Sequence, residues 1–95
     1  MVRYCFRLFV AGRSARSLQA IANLRRIGEE RLRGHYELVV VDVLVDPESA
    51  ERSRVLTTPT VVRESPDPVR RATGDLSDLE RVVFALDLTD SPHAP

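Results

Sequence analysis

Two short apolar runs, with helically spaced apolar positions between them, organise the first half of the chain. Tyr4-Cys5-Phe6-Arg7-Leu8-Phe9-Val10 is rich in β-formers and alternates imperfectly, which predicts a strand with most of both faces covered. Ala11-Gly12-Arg13 breaks it. Ser14 is placed to cap a helix whose Leu18, Ile21, Ala22, Leu24 and Ile27 recur at three- and four-residue intervals, and Gly34 is placed to end that helix. Leu38-Val39-Val40-Val41, inside Tyr36 to Leu44, is a continuous apolar run. It predicts a second strand, central in the sheet and, after a helical crossover, parallel to the first.

The second half is punctuated by proline and glycine. Asp46-Pro47-Glu48 starts a short helix near Pro47 to Arg54: Asp caps free amides, Pro supplies the first helical φ, and Glu suits the positive end of the dipole. Leu56 to Ser77 holds three of the six prolines. Pro59 can neither donate to a sheet ladder nor continue a helix, so it marks the start of a strand at Val61-Val62. Ser65-Pro66-Asp67-Pro68 makes a turn, Val69 to Thr73 a further short strand, and Gly74-Asp75 another turn. Ser77-Asp78-Leu79-Glu80 reads as a capping box for a helix from 78 to about 88, with Leu79, Val82, Val83 and Leu86 on one face. Residues 1–88 form one domain on this reading, and 89–95, with two prolines and no apolar face, form a disordered tail.

The element order is βαβαββα, that of a thioredoxin-like α/β domain, and Pro59 stands where that architecture commonly has a cis proline. A redox thioredoxin needs Cys-x-x-Cys at the start of its first helix, where the dipole lowers a thiol pKa. This chain has Gly12-Arg13-Ser14-Ala15 there. Its one cysteine, Cys5, excludes an intramolecular disulfide and reads as a structural thiol within the first strand. A redox enzyme working through Cys5 alone is the remaining thiol-based alternative.

Composition narrows the function further. Ninety-five residues suffice for one small core but not for a core plus a deep enclosed active site. Net charge is zero, yet residues 1–35 carry eight Arg against Glu29 and Glu30, net +6, and residues 36–95 carry six Arg against twelve acids, net −6. Such asymmetry suits a partner surface. Few aromatics interleave with the Arg residues, so a protein partner is favoured over nucleic acid. No segment reads as a signal peptide or membrane span, and the expected location is the cytoplasm.

Candidate contact residues are few. Arg70 and Arg71 are adjacent on a strand and point to opposite faces, where a guanidinium suits an acidic partner surface. Asp75 is placed to close the Gly74 turn, with a partner contact as the alternative. Asp42, inside an apolar strand, is costly if buried unpaired and is expected to reach a strand-end Arg or a backbone amide, a binding role again being the alternative. His35 and His93 are far apart, and no Cys, His or Asp set has metal spacing. No catalytic constellation, cofactor motif or phosphate loop is present, so no enzyme is expected.

Four stretches together resemble the KaiB family: Leu8-Phe9-Val10-Ala11-Gly12, Val41-Asp42-Val43-Leu44, Leu56-Thr57-Thr58-Pro59-Thr60, and Pro68-Val69-Arg70-Arg71-Ala72-Thr73-Gly74-Asp75-Leu76-Ser77. The resemblance runs over roughly residues 4–88. It implies a non-enzymatic regulator in a circadian, clock-like or stress timing system that binds a KaiC-like ATPase ring through residues 36–44 and 48–58. It also implies two folds. One is thioredoxin-like βαβαββα; the alternative, βαββααβ, shares the N-terminal half and is a dimer or tetramer. Pro59 and Ala85 become candidate fold-switch positions on that basis, since many KaiB sequences have Gly where Ala85 stands and Ala favours a helix interior by about 1 kcal/mol. The capping box adds to that tilt toward the thioredoxin-like form. The other functional reading is a thioredoxin-like adaptor or sensor module of a two-component pathway, without redox activity.

Overall fold

A computed structural model describes residues 3–88, so the tail expected over 89–95 lies outside the described residues. The elements are β1 (Tyr4–Val10), α1 (Ala15–Leu32), β2 (Tyr36–Asp42), α2 (Pro47–Arg52), β3 (Thr60–Ser65), β4 (Arg70–Thr73) and α3 (Leu79–Ala85). This is the expected thioredoxin-like order. They build a mixed sheet in the order β2-β1-β3-β4. The helical crossover makes β2 parallel to β1, with Tyr4 opposite Tyr36 and Val10 opposite Asp42. β3 runs antiparallel to β1, and the short proline-containing turn returns β4 antiparallel to β3.

β2 is an outer strand, not the central one its apolar run predicts, and it stops at Asp42. The antiparallel β3 takes the other flank of β1, which pushes β2 to the edge. Val39 and Val40 are left 49% and 38% exposed. An apolar run reports potential coverage of the two faces of a strand; it carries no information about which edges are paired.

The sheet separates two apolar layers. Tyr4, Phe6, Leu8 and Val10 of β1 pack with Ala20, Leu24, Ile27 and Leu32 of α1 and with Val82 and Leu86 of the α3 region. Phe9, Val41 and Val62 face the other way, against Val43, Ala50 and Val55. The period of two along β1 thus puts α1 and α3 on one face and α2 on the other.

α1 sits on the sheet through a stripe offset from the predicted one. Leu18 and Ala22 are exposed, while Ser17, Ala20, Asn23, Leu24, Ile27, Gly28 and Leu32 are buried. Small residues permit the close approach: a Cβ at Gly28 would overlap the Tyr36 ring. Ser14 caps the helix as expected, its Oγ accepting from the Ser17 amide at 3.2 Å. At the other end Arg33, not Gly34, takes the first left-handed position, with Gly34 following at φ 80°.

The Asp46 cap is the expected one, but the other ends of α2 and α3 differ by one to three residues from expectation. Asp46 starts α2, accepting from the Ser49 amide and hydroxyl, but the helix stops at Arg52, two residues early, where Ser53 caps it and Arg54 turns left-handed. For α3 the cap is Asp78, which accepts from the Arg81 amide at 3.2 Å. The predicted box at Ser77 does not form because the Ser77 amide is already held by Asp75 Oδ1. α3 ends at Ala85, and Asp87 follows at φ 52°. Thr58-Pro59 is cis, as are Ser65-Pro66 and Asp67-Pro68.

Candidate partner-docking surface

The end of the sheet where β1 and β2 finish and β3 begins is held by Asp42. Its Oδ1 accepts from the Gly12 amide at 2.9 Å and the Leu44 amide at 3.0 Å, so one carboxylate oxygen joins the β1–α1 turn to the β2–α2 turn. Of the two structural partners expected for Asp42, the backbone amide is the one observed. Gly12 takes φ 67°, a left-handed backbone that favours glycine, and an added Cβ there would already touch Leu44 Cδ1 at 3.4 Å.

This end presents apolar surface. Leu44, Val45 and Leu56 are 72%, 80% and 93% exposed, and Leu18 of α1 is also exposed. Arg13 and Arg16 on one flank and Glu48 and Glu51 on another are solvent-facing. Several large apolar side chains exposed at one end of a fold suit a contact surface. Along β2 the outer edge pairs with no described strand, and Glu37, Val39 and Val40 are exposed on it.

The other candidate residues are dispersed, because β2 and β4 lie at opposite edges of the sheet. Arg71 donates to the Ser53 carbonyl at 2.7 Å and the Arg54 carbonyl at 3.2 Å, tying β4 to the C-terminal end of α2. Arg70 points to the opposite face, 4.0 Å from Asp87, beside a groove of about 580 Å³ that Val83, Phe84 and Leu88 also line. Phe84 is 86% exposed, and its neighbour Ala85 is half-buried. Asp75 closes its turn by accepting from the Ser77 amide at 3.1 Å, and that interaction with Ser77 holds its carboxyl below the usual range. The Asp75 carbonyl accepts from Asn23 at 2.9 Å. Pro59 is buried, and its carbonyl accepts from the Gly74 amide at 2.9 Å, linking the start of β3 to the end of β4.

Arg63 was missed by pattern reading. It is 3% exposed, inside β3, and donates to the Leu86, Asp87 and Pro68 carbonyls. The available signal was its position two residues after Val61 in an interior strand, where the period of two points a charge at the core. Among the described residues no group of His, Cys, Asp and Glu is arranged to hold a metal. His35 Nδ1 lies 3.1 Å from the Leu32 carbonyl, and His93 lies outside the described residues. Cys5 is a half-buried free thiol in β1, away from the Gly12-Arg13-Ser14 turn where a redox thioredoxin keeps its pair. No helix of the described residues is long and apolar enough to cross a membrane.

The KaiB domain model matches residues 7–88. The circadian clock oscillator protein KaiB of Prochlorococcus marinus (strain MIT 9303) is 49% identical over 85 residues, which is 90% of this chain and 71% of that protein. The chain belongs to the KaiB family. It is thus a homologue of circadian clock oscillator proteins, and its fold within the KaiB family is the thioredoxin-like one. Two solved structures bear on the fold alone. The N-terminal domain of Synechococcus elongatus SasA superposes with TM-score 0.70 at 23% identity, covering 92% of this chain and 86% of that one. Mitochondrial thioredoxin 3 of Saccharomyces cerevisiae gives 0.69 at 19%, covering 93% and 81%.

Proposed function

We propose that this chain is a non-enzymatic regulator that docks on a KaiC-family ATPase ring in its thioredoxin-like conformation, as part of a circadian or clock-like timing system. The observation that carries the reading is the end of the sheet around Asp42. The place of a redox pair is taken by a Gly-Arg-Ser turn, and Leu44, Val45 and Leu56 stand exposed beside it. That surface can bury apolar area against a partner while the outer edge of β2 offers backbone groups that pair with no described strand, the arrangement that suits residues 36–44 and 48–58 to a docking role. Arg71 belongs to the same side through its bonds to the end of α2. Arg70 and Asp75 are separate contact candidates on the α3 face and at the β4–α3 turn.

A two-component adaptor or sensor module shares only the fold, whereas identity of 49% to clock oscillator proteins favours the ATPase reading. No cofactor is proposed, and a dimer or tetramer belongs to the alternative fold. The test is association of the full chain with its cognate KaiC-family ATPase, measured across nucleotide states by surface binding and co-elution. Binding in at least one state, weakened about tenfold or more by Leu44→Glu or Leu56→Glu, is expected for anchors central to an interface. Absence of association in every nucleotide state overturns the proposal.

A further inference from the structure

Arg63 is the only buried charged side chain among the described residues, and it forms no ion pair with any of them. A guanidinium cannot shed its proton, so burial is tolerable only if acceptors replace water. For the two Nη groups those acceptors are backbone carbonyls from two separate segments, while Nε is buried without an acceptor. Nη1 donates to Leu86 at 2.9 Å and Asp87 at 3.1 Å, just past α3, and Nη2 donates to Pro68 at 2.6 Å, in the β3–β4 turn. The group also lies 5.8 Å from the centroid of the Tyr4 ring in β1.

The carbonyls after α3 carry the partial negative charge of a helix C-terminus, which matches the cation. The preceding carbonyls of Val82, Val83 and Phe84 are occupied by the amides of Leu86, Leu88 and Asp87. Arg63 therefore serves the carbonyls of the two residues that directly follow the helix. α3 has only seven residues, too few to persist alone. It is seated by Val82 and Leu86, while Phe84 points to solvent. Its other side-chain polar ties are exposed: Arg31 with Glu80, Arg70 with Asp87, and Arg81 with the Thr73 carbonyl. Exposed pairs of this kind hold weakly.

We propose that Arg63 is a clasp that fastens the β3–β4 turn, β4 and α3 to the sheet as one detachable unit, and that its bonds set how often residues 66–88 open while β1, α1 and β2 stay folded. The unit carries Arg70, Arg71 and Asp75, so the clasp also governs how these are presented to a partner; that last step alone rests on the docking reading above.

Amide hydrogen exchange on the full chain tests the clasp without any partner, so its outcome is independent of whether the ATPase binds. Arg63→Met is expected to accelerate exchange at Arg70 to Thr73, Leu86 and Leu88 by about tenfold or more, with less than about twofold change in β1 and β2. Arg63→Lys keeps the charge, but one ammonium cannot span carbonyls in both segments as the guanidinium fork does, so the same selective pattern is expected at smaller amplitude. Should Arg63→Met fail to fold, Arg63→Lys alone decides. Equal acceleration in every element, or unchanged exchange across 66–88, overturns the proposal.

Discussion

The Asp42 carboxylate and the Gly12 amide meet at 2.9 Å, and this bond joins the β1–α1 turn to the β2–α2 turn that carries the exposed Leu44 and Val45. The same oxygen accepts from Leu44. Asp42→Ala leaves two amides without their acceptor and is expected to destabilise the fold by about 1–3 kcal/mol. Asp42→Asn keeps a carbonyl oxygen there and is expected to cost less. Urea unfolding of both variants checks the order, and equal losses would show that charge, not acceptance, is what Asp42 supplies.

Much of the chain was legible from its pattern because local chemistry determines it. Ser14, Asp46 and the proline at 59 mark starts through the backbone groups they satisfy or remove, and β1, α1 and the β3–β4 hairpin follow. Strand order was not legible: Leu38 to Val41 looks the same whether its strand is interior or outer. The α1 stripe was displaced because Ser17, Ala20 and Gly28 bury by being small, which a search for large apolar residues overlooks. Of the candidate site, the structural bonds of Asp42 and Asp75 were readable from turn chemistry. The Arg63 clasp was not, since its acceptors come from five and from more than twenty residues away.

Gly28 tests the seating of α1. Alanine is the better helix former by about 1 kcal/mol, yet its Cβ would overlap the Tyr36 ring. Gly28→Ala is expected to lower stability by about 1–3 kcal/mol through overpacking. Thermal unfolding reads the sign, and combining it with Tyr36→Val should recover most of the loss. A stabilised single variant would mean that α1 does not pack this closely on β2.

Asp75 gives a pH dependence of fixed sign. Its folded pKa is lowered by the Ser77 interaction, so its contribution is fully present above the ordinary Asp value of about 3.9 and is lost as pH falls through the lower folded value. Asp75→Asn removes the ionised form while keeping an acceptor. The stability gap between wild type and Asp75→Asn is therefore expected to be largest near neutral pH and to close in acid. A gap that widens in acid contradicts the assignment.

Ala85 tests the helical tilt of the C-terminal segment. Ala85→Gly is expected to weaken α3 by about 1 kcal/mol, seen as reduced helical chemical shifts over Leu79 to Ala85 with β1 unchanged. Size-exclusion chromatography with light scattering on the same variant shows whether a dimer or tetramer gains population. Unchanged shifts would remove Ala85 from the switch candidates.

The most direct test of the proposed thioredoxin-like docking module is a methyl NMR titration of the full chain, labelled at Leu and Val, with its cognate KaiC-family ATPase ring. The account predicts that the Leu44, Val45 and Leu56 signals respond first and most, while buried Leu8 and Leu24 follow only through overall broadening. Unperturbed signals at Leu44, Val45 and Leu56 under saturating ATPase would contradict it.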